Sequence, residues 1–313
     1  MTAGYQALRE SAALIDLSER GKIRATGEDR VRLLHAMTTN HIEQLKPGEG
    51  CYALLLNAQG RMLADLNVLC FEDHLLLDTE PETREKVRSH LEHYIIADDV
   101  TLEDATDALA TLALEGPKAA ELLARMGAPA PEAPYATAAW GERLVARLSA
   151  TGAEGFWFIL PRADLDELAA GLRRAGAAEA LPEDVRTVRL ENGRPRYGED
   201  LSERFIANEA QLWRALHFNK GCYLGQEIVE RVRSRGQVHR RLVRLRIEAA
   251  APPLAGTPLL AEQKTVGEIT SAAFSPALSA VVALGYVRDP HNRPGAVLAA
   301  GEAPATVVAA EPA

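Results

Sequence analysis

Apolar residues run unbroken through Tyr52-Ala53-Leu54-Leu55-Leu56 and stop at Asn57-Ala58-Gln59-Gly60, the pattern of a strand ending in a turn. A looser alternation follows from Met62 to Phe71, and Leu75 to Asp78 is apolar again after Glu72-Asp73-His74, so a hairpin is predicted. Pro81 then opens a charged segment in which Val87, Leu91 and Tyr94 or Ile95 recur at three-to-four spacing, which predicts a surface helix. The same order returns further on. Ala110 to Leu114 reads as a strand, Gly116-Pro117 starts a helix through Met126, and Leu144–Leu148 with Phe156–Leu160 forms a hairpin across Thr151-Gly152. Pro161 begins a second amphipathic helix carrying Leu165, Leu168 and Leu172. Residues 128–139 are rich in Pro and Ala without periodicity and read as a loop. After Arg241, short apolar strands between Gly and Pro predict a small barrel, with residues 301–313 fraying at its end.

Two repeated blocks of strands closed by Pro-initiated helices make two related α+β units. The expected domains are 1–105, 106–240 and a C-terminal β-barrel at 241–313, with the first two free to interleave along the chain. The chain has 313 residues and a net charge of −9, which argues against whole-surface binding to nucleic acid or anionic membrane. The N-terminus lacks a basic stretch followed by an apolar core, and the apolar runs are too short to span a bilayer. Cys51, Cys70 and Cys222 are sparse and lack CxxC spacing, so free thiols in a reducing, cytoplasmic setting are expected, with no metal site.

Lys220-Gly221-Cys222-Tyr223-Leu224-Gly225-Gln226-Glu227 is the most informative stretch. Two glycines flank the cysteine, and Gln226 to Val232 has the composition of a helix. Cys222 just before a helix N-terminus and near Lys220 favours the reactive thiolate, although a turn with an incidental cysteine fits the same residues. From Arg231 to Arg246 there are seven arginines (231, 233, 235, 240, 241, 244, 246) and no acid. The rest of the chain therefore carries about −16, and the run suits an anionic partner. Alternate arginines on the solvated face of a strand over 242–247 explain part of it equally well.

These residues resemble the YgfZ-type folate-binding proteins, in the superfamily of the glycine cleavage T-protein (aminomethyltransferase). The cysteine loop and its continuation QEIVERVRSRGQVHRRL carry the resemblance to that branch. Leu34-His35-Ala36-Met37-Thr38-Thr39-Asn40 with Asn57–Arg61, Leu114–Ala119, and Arg189–Asp200 resemble the shared superfamily pattern. The resemblance implies a three-domain ring, two ferredoxin-like α+β units and a C-terminal β-barrel, around a central cavity for tetrahydrofolate. It implies that Glu191 holds the pterin ring, which suits a carboxylate facing adjacent N–H donors. It implies that Asp65 sits near the reacting folate nitrogens, whereas strand alternation alone also allows Asp65 to face outward. Asn40, Tyr197, Gln226 and Arg231 are further folate-binding candidates, and Cys222, Lys220 and Asp65 are the catalytic candidates.

Three functions compete. The first is a folate-binding factor that supports iron–sulfur enzymes or their assembly proteins through Cys222, including a tRNA-modifying client, as the resemblance implies. The second is a folate-dependent aminomethyltransferase using Asp65, against which the cysteine loop counts. The third is an RNA-binding module on the arginine run, with salt-dependent affinity. Whether any transfer is catalysed is left open by the sequence.

Overall fold

The computed structural model describes residues 1–236 and 238–309, and the Arg235 side chain of the basic run lies outside the described part. The chain opens with α1 (Ala3–Glu10), β1 (Ala13–Asp16), β2 (Gly21–Thr26) and α2 (Arg30–Met37). It continues with β3 (Gly50–Leu56), β4 (Met62–Cys70), β5 (Leu75–Thr79), α3 (Arg84–His93) and β6 (Thr101–Asp104). The middle holds β7 (Leu109–Glu115), α4 (Ala119–Arg125), β8 (Thr137–Trp140), β9 (Arg143–Ala146), β10 (Gly155–Pro161), α5 (Leu165–Ala175) and β11 (Ala178–Glu179). α6 (Pro182–Glu191), α7 (Ala207–Ala210) and α8 (Gln226–Arg235) lead to β12 (Arg240–Ile247), β13 (Pro258–Ala261), β14 (Lys264–Ser275), β15 (Ala280–Arg288), β16 (Val297–Ala300) and β17 (Ala303–Val308).

β2 to β6 form a five-stranded sheet in the order β3-β4-β5-β2-β6, and a six-stranded sheet runs β11-β1-β7-β10-β9-β8. β1 pairs with β7 in the second sheet although it precedes the first in sequence, so the two α+β units interleave. β12 to β17 close into a six-stranded barrel. The tail expected to fray instead supplies β17, which pairs with β12 and closes the barrel, while residues 310–313 lie outside the described part. β8 also claims the end of the predicted loop at 128–139.

Each sheet buries one face against its own helices. Leu33, Leu34 and Met37 of α2 and Val87 and Leu91 of α3 cover Ile23, Leu66, Val68, Leu75 and Leu77. Leu168 and Leu172 of α5 and Leu122 of α4 cover Leu112, Leu114, Phe156 and Phe158. Full burial of each such side chain is worth about 1.5–3 kcal/mol. The opposite faces meet one another, where Leu69 and Leu76 of the first sheet pack with Ile15, Trp157 and Ile159 of the second. Away from that seam the two inner faces part and leave a cavity. Among the described residues, no helix is long and apolar enough to cross a membrane.

Candidate active site

The cavity wall begins with register. β4 pairs with β5 so that Asn67 faces Asp78, and β2 pairs with β5 so that Lys22 faces the same Asp78. Continuing that register sets Asp65 and Arg20 on either side of Glu80. Side chains two residues apart share a face, so both polar rows occupy the inner side of the sheet. β4 is buried along all nine residues because helices cover one face and the second sheet covers the other. Asp65 therefore points inward and not to solvent.

The cavity measures about 630 Å³ and is lined by Tyr52, Asp65, Asn67, Glu80 and Arg20 from the first unit. Trp157 and Ser149 of the second unit face them, with Val185, Arg186, Arg189 and Arg194 along a third side. A space of that size suits a small organic ligand. Among the described residues, none from the barrel lines it. The barrel instead contacts α6, where Arg186 donates to the Ala272 carbonyl at 2.5 Å.

Asp65 is 9% exposed, and its Oδ2 accepts a 2.8 Å hydrogen bond from the Tyr52 hydroxyl. Its Oδ1 and the Oδ1 of Asn67 are buried with no hydrogen-bond partner. Unpaired buried acceptors are rare in folded proteins, so two on one cavity wall point to a ligand that brings donors. Burial, reinforced by the charge of Glu80 and opposed by Arg20 and the Tyr52 bond, pushes the Asp65 carboxyl up to about 6. Burial and the neighbouring Asp65 carboxylate raise the Tyr52 hydroxyl above its usual range. Arg20 donates through Nε and Nη2 to Asp78 and through Nη1 to Glu80, and Asn67 also donates to Asp78. Among the described residues, no group of three or more His, Cys, Asp or Glu could hold a metal ion.

Several expected site residues lie elsewhere. Glu191 does not line the cavity. α6 turns Pro182, Val185, Arg186 and Arg189 inward at helical spacing, and Glu191 sits about 200° around the helix from Arg189. Its carboxylate is saturated by the Tyr5 hydroxyl and Ser275 hydroxyl at 2.5 Å each and by Arg9. It joins α1, α6 and the barrel, so in this structure the residue expected to hold the pterin ring lies off the cavity wall. Tyr197 is buried and donates to the Met62 carbonyl. Asn40 spends its amide on the Tyr52 and Arg214 carbonyls, and its Oδ1 accepts from the His41 N–H. Neither reaches the cavity.

The cysteine loop docks on α2. Leu224 N–H donates to the Ala36 carbonyl and His217 N–H to the Thr39 carbonyl. Lys220 is 6% exposed, and its ammonium donates to the carbonyls of His35, Thr38 and Asn40 at 2.5–2.7 Å. That geometry caps the C-terminal end of α2 with a cation. All three ammonium protons are used, so the expected support of the Cys222 thiolate by Lys220 is replaced by a clamp. Burial pulls the Lys220 amine down to about 8. Beside the clamp, His35 and His41 meet edge-on with ring centroids 4.6 Å apart, and His41 meets His217 at 5.0 Å.

Cys222 is exposed and absent from the cavity wall. Gln226 starts α8 and Arg231 lies exposed on it, and neither lines the cavity. The arginine run also divides, because Arg240 pairs with Glu209 and Arg244 donates to the Glu191 carbonyl. Two of its arginines are thus committed to contacts within the chain.

Gly225 has φ +83°, and a Cβ there would lie 2.6 Å from the Asn57 carbonyl oxygen and 3.3 Å from Gly60 Cα. The loop thus rests on the Asn57–Gly60 turn by backbone contact. Gly225→Ala is expected to cost about 1–3 kcal/mol from the left-handed strain. Urea unfolding checks this, and an unchanged midpoint would contradict the close approach.

Sequence reasoning found Asp65 and missed Tyr52, Asn67, Glu80, Arg20, Trp157 and Arg194. For Asn67 and Glu80 a signal existed in the in-phase spacing of polar residues at 65 and 67 and at 78 and 80.

The comparisons with known proteins agree with this architecture. The family described as the GCVT N-terminal domain matches residues 1–220, and the glycine cleavage T-protein C-terminal barrel domain matches residues 240–312. An aminomethyltransferase of Streptomyces coelicolor is 34% identical over 318 residues, covering 93% of this chain and 82% of the relative. A putative chloroplastic transferase of Arabidopsis thaliana is 28% identical over 303 residues, covering 95% and 70%. The glycine cleavage system aminomethyltransferase T of Bartonella henselae superposes with a TM-score of 0.89 at 25% identity, covering 97% of this chain and 87% of that one.

Proposed function

Because the chain belongs to the glycine cleavage T-protein family, we propose that it binds tetrahydrofolate in the central cavity and acts as a folate-dependent aminomethyltransferase. The observation that carries this is the Asp65 carboxylate, buried at the cavity wall with one oxygen unpaired. The residues present suit the ligand. Asp65 and Asn67 offer unpaired acceptors for N–H donors, and Tyr52 and Trp157 offer aromatic walls. The folate supplies the nitrogen that receives the one-carbon unit. Tyr52 fixes the orientation of the carboxylate, and Asp65 Oδ1 takes or returns a proton. With its carboxyl near 6, about one molecule in ten carries that proton at pH 7, so both forms are accessible. Incubation with tetrahydrofolate and an aminomethyl-lipoyl carrier is expected to release ammonia, and no release above the carrier's own decay would refute the assignment.

A second reading, support of iron–sulfur enzymes as in YgfZ-type proteins, is favoured by one observation. Cys222 is exposed on a loop anchored at Lys220 and Gly225, and the cavity chemistry does not use it. On that reading Cys222→Ala loses rescue of iron–sulfur enzyme activity in cells lacking the protein while folding normally. Full rescue by Cys222→Ala would remove it and leave the transferase reading intact.

A further inference from the structure

Glu80 stands where it can govern Asp65. The β4–β5 register, continued beyond Asn67 and Asp78, brings the two residues opposite each other on the inner face, and the Thr79 hydroxyl holds the chains there through a 2.8 Å bond to the Asp65 carbonyl. Both carboxyl groups line the cavity. They differ in their partners. Glu80 is 13% exposed at its side chain, with Oε1 bound by Arg20 and Oε2 by Arg196 at 2.9 Å. Asp65 receives only the Tyr52 hydroxyl. The Arg20 fork is spent on Asp78 and Glu80, so the nearest buried cation does not reach Asp65 directly.

We propose that Glu80 is a positioning residue: it intercepts Arg20, holds a fixed negative charge across from Asp65, and thereby keeps Asp65 able to exchange a proton with the ligand of the cavity. This rests on the folate-dependent reading for its purpose but not for its test. The two cations explain why Glu80 is the partner that stays ionised. Against its own burial, Arg20 and Arg196 hold the Glu80 carboxyl below the usual range. Two carboxylates sharing a buried site separate in this way, one charged and one retaining its proton to higher pH. Glu80→Gln removes the opposing charge, which eases ionisation of Asp65. Glu80→Asp keeps the charge.

The test follows the carboxyl titration of the ligand-free full chain by NMR with ¹³Cγ-labelled aspartate, the Asp65 signal being assigned by its loss in Asp65→Asn. In the wild type that signal is expected to titrate near 6, as burial and Glu80 dictate. Glu80→Gln is expected to move it down by about one pH unit or more, and Glu80→Asp to keep it near the wild-type position. The acid limb of the transfer rate against pH should shift by the same amount. An Asp65 titration that Glu80→Gln leaves in place overturns the proposal. Should Glu80→Gln fail to fold, Glu80→Ala, which removes the same charge with a smaller side chain, must lower the Asp65 titration, and no change there overturns the proposal equally. Because the titration is read without folate, absence of folate binding would refute the functional reading alone.

Discussion

Asp65→Asn is expected to lower aminomethyl transfer by about 10²–10⁴-fold while changing tetrahydrofolate affinity only a few-fold, the loss typical of a removed general acid–base group. The substitution is nearly isosteric. The amide oxygen still accepts the Tyr52 hydroxyl bond, and a neutral group in this buried site relieves repulsion from Glu80. What disappears is the unpaired oxygen that can carry a proton. Single-turnover ammonia release, set beside calorimetric binding, separates the two effects. An Asp65→Asn variant with wild-type rate would take the proton-handling role away from this residue.

The largest effect on stability is expected at Asp200. It is fully buried, and its Oδ2 is bound by Arg189 at 2.6 Å and by the Arg196 N–H at 3.1 Å. Its Oδ1 accepts from the Thr270 and Ser271 hydroxyls of the barrel at 2.6 and 2.5 Å. One carboxylate therefore joins α6, the turn after it and β14. Asp200→Asn takes from Arg189, itself 4% exposed, its shorter and fully buried counter-charge, leaving it Glu199 at 3.2 Å, and turns an acceptor into a donor. Breaking a buried pair on one side costs about 3–5 kcal/mol, which corresponds to a melting point lower by on the order of 10 °C. Arg189 lines the cavity, so ligand affinity should fall as well. A loss below about 1 kcal/mol would mean that the barrel is not fastened through this residue.

Much of the fold was legible because its local signals agree. Asn57–Gly60 ends a run of five apolar residues, and the β3–β4 hairpin turns there. Pro81 and Pro161 precede α3 and α5, whose apolar residues face their sheets. β1 and β2 were not legible. They are short, and their partners lie far along the chain, so long-range pairing rather than local pattern defines them.

The site was legible only in part, for a related reason. A sheet covered on both sides buries every position of β4, so alternation cannot reveal which face holds Asp65. The family resemblance settled on Asp65 and on the segment containing Glu191, but a shift of two residues along a helix separates a position on the cavity wall from one off it. Arg189 and Glu191 illustrate this, two positions apart and on different faces of α6. Lys220 was read as a cation near a thiol. Its partners are backbone carbonyls of α2, a contact between residues about 180 positions apart.

Calorimetric titration of tetrahydrofolate into the wild type and into Val185→Trp tests the central claim most directly, because the tryptophan side chain would occupy the cavity from α6. The wild type should bind one equivalent and the variant none, with both folded. Equal binding by the two proteins, or none by the wild type, would mean that the space between the two sheets is not where folate goes.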